Sequence, residues 1–310
     1  MKFGVIGNDQ MLLSCLRILL DRPDAEISFV IYDTRRINPM NPIGDFCEKH
    51  KLNHKGIERL NEPEMLHFIQ QQQPDYILSI NNFWVIRPDV LAVPARGTIN
   101  FHNSVPSRYH GLNVPSWVIM NGEKTHGAMW HFVEPAIDTG EVLLFREFEL
   151  AKGETAASLM VKCIRAGIEL FPELLDQLYT GNIQRIPQQP NASYFGKKQY
   201  PANNGYIDFS ANSEVIERLV RGLNYLPYAN HFLYAKIRHG EKELIVNEVG
   251  LETPVTGAMP GVVLAVEEDR ILVGTGNGVI AIEDAMDEEG NECNGEAMAG
   301  YFGICPGDKL

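Results

Sequence analysis

Residues 1–33 read MKFGVIGNDQMLLSCLRILLDRPDAEISFVIYD, and this stretch decides the fold class. Lys2–Gly7 is short, apolar and closed by a glycine, the pattern of a buried strand. Met11–Leu20 carries Leu12, Leu13, Leu16, Ile18, Leu19 and Leu20, a helix-like apolar spacing. Ile27–Tyr32 reads as a second strand. A strand–helix–strand opening implies parallel neighbours joined by a right-handed crossover. The expected class is α/β, with a Rossmann-like, mostly parallel sheet. The Gly-Asn-Asp turn at 7–9 falls at the carboxyl end of the first strand, where open α/β sheets place ligands. Asn8 is therefore a candidate for the anionic part of a substrate, with a plain strand-to-helix turn as the alternative. The turn is not Gly-x-Gly-x-x-Gly, so the dinucleotide fingerprint is absent.

Working outward, Gly44–Lys51 and Glu62–Gln72 look helical, and Tyr76–Ile80 is a further strand. Thr34–Ile43 is polar and rich in Pro and Asn, hence a loop. Thr155–Leu178 is a long amphipathic helix whose Met160 and Cys163 read as core. From Leu233 onward, short alternating strands with regular turn signals indicate a small C-terminal β-barrel or sandwich, of which the barrel is the expectation, preceded by a helix at Ser213–Leu223. At 310 residues the chain exceeds what one core usually supports, about 250–300 residues, so two domains are expected. The expected division is a catalytic domain at 1–185, a Pro/Asn/Gly-rich linker at 186–212 and a C-terminal domain at 213–310. Gly-Thr-Gly-Asn-Gly at 274–278 lacks the Gly-Lys-Ser/Thr and helix of a phosphate loop and reads as a hairpin turn. The acidic cluster Glu283, Asp284, Asp287, Glu288, Glu289 and Glu292 reads as a solvated loop face.

A net charge of −13, with basic runs no longer than Arg35-Arg36 and Lys197-Lys198, argues against a nucleic-acid partner. The five cysteines are widely spaced and never form Cys-x-x-Cys, which speaks against a disulfide framework or a zinc site. The first residues lack a signal-peptide pattern, and no apolar run reaches the ~18–20 residues of a membrane span. A cytoplasmic protein without membrane contact is expected.

The chemistry-bearing stretch runs from Gly97 to Gly140: GTINFHNSVPSRYHGLNVPSWVIMNGEKTHGAMWHFVEPAIDTG. Thr98–His102 reads as a strand, on which alternation points Asn100 and His102 the same way. A loop, a helix near Ser116–Asn121 and a strand near Gly127–Val133 follow, and Asp138-Thr139-Gly140 closes the stretch. If the two strands are neighbours, Asn100, His102 and Asp138 meet at one end of the sheet. An amide donor, an imidazole and a carboxylate around one point suit acyl-group transfer. An aspartic-protease reading of Asp-Thr-Gly would need a second such carboxylate, and the sequence has no other Asp-Thr-Gly or Asp-Ser-Gly. His110, His126 and His131 share no metal-ligand spacing and read as surface or cleft residues; no metal is expected.

Asn-x-His, then Ser-x-Pro and Gly, then Asp-Thr-Gly resembles the 10-formyltetrahydrofolate-dependent formyltransferase family. Tyr194-Phe195-Gly196 and the β-rich end closing on Pro-Gly-Asp-Lys-Leu extend the resemblance over nearly the whole chain, to the longer members with a C-terminal domain. The resemblance implies a formyltransferase with 10-formyltetrahydrofolate as donor and Asn100, His102 and Asp138 as catalytic residues. His102 would either support the oxyanion or assist proton transfer. The loop after Ile80, with Phe83, Trp84 and Ile86, together with Ile137, would cradle the pterin end of the folate. Asn8, Ser104, His110 and Gly111 would face the amine substrate, Ser104 with loop support as its alternative. Two departures fall in that region. Ser104-Val105-Pro106-Ser107 stands where many members read Ser-Leu-Leu-Pro, and His110-Gly111 where Arg-Gly is frequent. The basic insertion of the tRNA-specific members is missing near Thr34–Ile43. Trp130–Glu134, Tyr194–Gly196 and Pro227–Asn230 look most like synthetase-associated members. The resemblance therefore implies a primary amine on a carrier-protein-bound aminoacyl group or a nucleotide-linked amino sugar, within nonribosomal peptide or related specialised metabolism. Methionyl-tRNA formyltransferase, a hydrolase releasing formate, and a non-catalytic docking module are the alternatives.

Overall fold

The computed structural model describes residues 1–36 and 42–310. In chain order the first elements are β1 (Lys2–Gly7), α1 (Asp9–Leu20), β2 (Glu26–Asp33), α2 (Ile43–Lys49), β3 (His54–Ile57), α3 (Pro63–Gln72), β4 (Tyr76–Ile80), α4 (Pro88–Leu91) and β5 (Gly97–His102). There follow β6 (Tyr109–Gly111), α5 (Val114–Met120), β7 (Thr125–Phe132), β8 (Val142–Glu149), α6 (Ala156–Thr180) and β9 (Ser193–Phe195). The last are α7 (Ser213–Leu223), β10 (Lys236–His239), β11 (Lys242–Glu252), β12 (Val263–Val266), β13 (Ile271–Gly274), β14 (Val279–Met286) and α8 (Gly295–Phe302). The loop expected over Thr34–Ile43 lies partly outside the described residues; Thr34–Arg36 forms one 3-10 turn.

The chain divides into two compact units. The first takes in residues 1–111, 126–148 and 162–195, the second residues 112–125, 149–161 and 196–310. The first unit is built on a seven-stranded sheet in the order β3-β2-β1-β4-β5-β7-β8. The strands from β3 to β5 run parallel, and β7 joins β5 antiparallel, so the sheet is mixed. The central strands are covered on both faces. Every residue of β4 is buried, and so is β1 beyond its first residue. That is why they read as continuous apolar runs rather than alternating ones. Strand order reverses between β1 and β4, which makes their carboxyl ends the expected ligand crevice.

Beneath β5 and β7 lies α6. Trp130 is fully buried and donates its indole N–H to the Gly167 carbonyl at 3.0 Å. A Cβ at Gly167 would stand 2.2 Å from the Phe101 ring, so only glycine lets the helix come this close. Within 186–195, read as the start of a linker, Ile186 bridges Val142 and β9 pairs in parallel with β6.

The second unit holds an antiparallel five-stranded sheet in the order β10-β11-β14-β13-β12. Its edge strands β10 and β12 do not pair, so the expected barrel is an open, half-barrel sheet. Ile216, Val220 and Leu223 of α7 and Met298 and Phe302 of α8 share its apolar core. The α8 helix lies where only β structure was expected. Gly-Thr-Gly-Asn-Gly is the β13–β14 hairpin, and Asn277 Oδ1 accepts the Ser213 N–H at 2.8 Å, satisfying a free donor at the start of α7. The acidic cluster is not one solvated face. Glu283 and Asp284 lie on β14, and the buried Asp287 carboxylate accepts both the N–H and the side-chain amide of Asn291, each at 2.8 Å. Among the described residues no helix is long and apolar enough to cross a membrane.

Candidate active site

Asn100, His102 and Asp138 come together at the carboxyl end of β5. Asn100 stands directly opposite His131 on β7, and His102 opposite Met129. The Asn100 amide is held at both ends. Ser79 Oγ, from the adjacent parallel strand β4, donates to Oδ1 at 2.7 Å, and Nδ2 lies 3.2 Å from His131 Nε2. A hydroxyl can donate or accept, so the end of the amide that is nitrogen is set by His131, whose Nε2 accepts, and the oxygen is left to the Ser79 hydroxyl.

The two imidazoles have assigned tautomers because each faces a carbonyl, which can only accept. His102 Nε2 is 2.9 Å from the Tyr109 carbonyl oxygen and so carries a hydrogen; Nδ1 is the basic atom of the neutral ring. His131 Nδ1 is 2.7 Å from the Phe132 carbonyl and carries the hydrogen there, so its Nε2 accepts from Asn100.

The Asp138 carboxylate lies between these rings, with Oδ2 3.6 Å from His102 Nε2 and Oδ1 3.6 Å from His131 Nε2. At this length they are not hydrogen bonds, and each becomes an ion pair only when its ring is protonated. The bond it does accept is from the Gly111 N–H, at 2.8 Å. Gly111 has φ of 94°, and a Cβ there would lie 2.2 Å from the Phe195 carbonyl oxygen. Only glycine can present that N–H while β6 pairs with β9. Burial would raise the Asp138 pKa; the two imidazoles and the Gly111 N–H outweigh it and hold the carboxyl well below its usual range. His102, buried at 6% exposure, is also shifted down, but there burial wins. Burial lowers its pKa, and the opposing pull of Asp138 does not restore it. The site therefore rests as a neutral imidazole beside a carboxylate.

The other sequence candidates divide. Ser104 is fully buried, donates to the Val105 carbonyl at 3.1 Å and accepts the Tyr109 N–H at 3.3 Å, closing the 104–109 loop. His110 is buried and meets Gln188 Oε1 at 3.3 Å. Asn8 is 1% exposed; its Oδ1 accepts the Asp33 N–H, while its Nδ2 has no partner among the described residues. Phe83 is exposed under the Arg36 guanidinium, 3.8 Å from the ring centre, and Ile137 is exposed beside Asp138. Trp84 and Ile86 instead pack onto the core cluster of Ile6, Phe29 and Ile77, and the Trp84 indole donates to the Glu58 carbonyl. His126 and His131, read as surface or cleft residues, are 0% and 1% exposed. Strand pairing explains the difference, since β7 is covered along nearly its whole length. Sequence reasoning missed His131, Ser79 and Gln188. Register could have exposed the first two, because both flank Asn100 in the sheet. Gln188 carried no signal. Among the described residues no group of His, Cys, Asp and Glu could hold a metal.

Residues 31–175 match the Formyl transferase family, and residues 200–302 match its C-terminal domain. The methionyl-tRNA formyltransferase of Acetivibrio thermocellus is 29% identical over 247 residues, covering 80% of this chain and 78% of its own. Two solved structures share the fold at low identity. A sugar 3N-formyltransferase, WlaRD, determined in the presence of dTDP and 5-N-formyl-THF, superposes with a TM-score of 0.69 at 17% identity, covering 93% of this chain and 98% of its own. The Helicobacter canadensis N-formyltransferase in complex with folinic acid and dTDP-3-aminofucose also gives 0.69, at 16% identity and 91% and 99% coverage. With both family domains matched in order across most of its length, the chain belongs to the 10-formyltetrahydrofolate-dependent formyltransferase family.

Proposed function

We propose that this enzyme moves the formyl group of 10-formyltetrahydrofolate to the primary amine of a small acceptor, with Asn100, His102 and Asp138 as catalytic residues. The observation that carries the reading is the committed geometry of Asn100. One Nδ2 hydrogen goes to His131; the other has no partner among the described residues and can bond the formyl oxygen as it gathers negative charge. A donor fixed before reaction needs no reorganisation, and removing one costs about 3–4 kcal/mol of barrier in comparable sites. His102 Nδ1 accepts the proton lost by the amine nitrogen as its bond to the formyl carbon forms. It hands that proton to the nitrogen released when the donor's carbon–nitrogen bond breaks. Asp138 holds the imidazole through this cycle, favouring it when cationic.

The residues present fit a folate donor. Exposed Phe83 and Ile137 offer apolar surface, and Trp84 and Ile86 anchor the loop that carries Phe83. For the acceptor, the net charge of −13 and the fold shared with sugar N-formyltransferases support an amine on a nucleotide-linked sugar. A carrier-bound aminoacyl group, favoured by the sequence motifs, is the second small-amine reading. Methionyl-tRNA is kept as a rival because that activity names the curated relatives.

The test is formyl transfer followed by mass spectrometry across amino-sugar nucleotides, carrier-bound aminoacyl groups and methionyl-tRNA, with 10-formyltetrahydrofolate as donor. Transfer to one of the first two classes, with little formate released when no amine is present, is expected. Brisk formate release without amine would make the enzyme a hydrolase. Transfer to methionyl-tRNA that survives physiological salt would overturn the small-amine reading.

A further inference from the structure

Gln188 makes more hydrogen bonds around the candidate site than any of the residues expected to react. Its Nε2 donates to the carbonyl oxygens of Asp138 at 2.7 Å and Gly140 at 2.8 Å. Its Oε1 accepts the Ser107 N–H at 2.9 Å and faces His110 Nε2 at 3.3 Å. A primary amide has two hydrogens and two lone pairs, and all four are used. Because Oε1 only accepts, His110 carries its hydrogen on Nε2.

We infer that Gln188 is a positioning residue for formyl transfer, tying the Asp138–Gly140 turn to the 107–110 segment so that the Asp138 carboxylate stays between His102 and His131. Two features make this more than loop packing. Asp138 has φ of 57°, a left-handed conformation that a non-glycine residue holds at some cost, and Gln188 bonds its carbonyl directly. The 107–110 segment leads into Gly111, whose N–H binds the same carboxylate. Gln188 thus grips both sides of the Gly111–Asp138 bond. The inference rests on the proposed roles of His102 and Asp138.

The experiment is a pair of neutral substitutions, Gln188→Met and, as a neighbouring control, Gln189→Met, each read by NMR titration of the His102 ring and by steady-state kinetics. The groups facing His102 are Asp138 from the turn, His110 on β6 and His131 and His126 on β7. Asp138 is the only anion among them, so letting it drift lowers the His102 midpoint. The expected result for Gln188→Met is a lower His102 midpoint and a kcat reduced roughly ten- to hundredfold with little change in KM, as a misplacement near 1 Å would give. Gln189→Met is expected to match wild type. A folded Gln188→Met protein with the wild-type midpoint overturns the inference.

Should that variant fail to fold, Gln188→Glu decides. A carboxylate has no hydrogen for the two carbonyls, whereas a protonated carboxyl restores one. Its activity relative to wild type at the same pH should rise as pH falls; a constant ratio overturns the proposal. The titration needs no formyl acceptor. An unmoved midpoint alongside confirmed transfer defeats Gln188 alone, and a moved midpoint without transfer defeats the functional reading alone.

Discussion

Asn100 and His131 face each other across the antiparallel β5–β7 pair with Nδ2 and Nε2 3.2 Å apart, so one of the two amide hydrogens is spent inside the protein. The other is the candidate oxyanion donor. Asn100→Ala should therefore lower kcat about a hundred- to a thousandfold, with a smaller effect on KM, because the bond is strongest in the transition state. Asn100→Asp should be at least as damaging, since it sets an acceptor where a donor is needed. Steady-state kinetics at saturating folate donor would check both. Equal changes in KM and none in kcat would show Asn100 to be a binding residue.

In the proposed reaction His131 would act through Asn100. His131→Leu removes the acceptor that orients the amide and one of the two imidazoles beside Asp138. A kcat loss of roughly tenfold is expected. The double variant with Asn100→Ala should then be little worse than Asn100→Ala alone, because groups in one network are not additive. Fully multiplicative losses in that cycle would separate the two residues.

The pH profile tests the His102–Asp138 pair. The usual histidine value is 6.5, and burial puts His102 below it despite the nearby carboxylate. If the neutral ring accepts the proton, kcat/KM should hold up below pH ~6.5 and fall only at lower pH. Asp138→Asn removes the charge that favours the cation, so the acid limb should move to still lower pH while the plateau drops. An acid limb above 6.5 in the wild type would show that the carboxylate dominates after all.

The arrangement was legible in the sequence wherever local pattern and topology agree. Period-two alternation put Asn100 and His102 on one face of β5, and the strand–helix–strand opening gave the parallel half of the sheet. Partners supplied by register were hidden. Nothing in the spacing of Ser79 or His131 says that each lies beside Asn100; that follows only from pairing of β4 and β7 with β5. Trp84 and Ile86 read as a ligand wall because they sit in an apolar loop after a strand; that both also rest on the core beneath is visible only in the packing. The closing helix α8, Gly295–Phe302, was masked by its glycines, a poor intrinsic signal that packing of Met298 and Phe302 overrides.

Stability should carry its own pH signature, from His126. This ring is fully buried, its Nε2–H donates to the Asn103 carbonyl at 2.8 Å, and its Nδ1 has no partner among the described residues. Burial pushes its pKa down to about 4, and the Asn103 carbonyl opposes that only in part. In the unfolded chain the ring takes a proton near pH 6.5, while the folded protein refuses it until about 4. Acid therefore stabilises the unfolded state. The folded protein should be fully supported above pH ~6.5 and should lose about 3 kcal/mol from this group as the pH falls toward 4. His102, shifted the same way, adds to the slope. Urea unfolding followed by tryptophan fluorescence at several pH values would measure it. His126→Gln keeps a donor for the Asn103 carbonyl and removes the titration, so its stability should fall less steeply over the same interval. An unchanged slope would mean that the ring takes up its proton without unfolding.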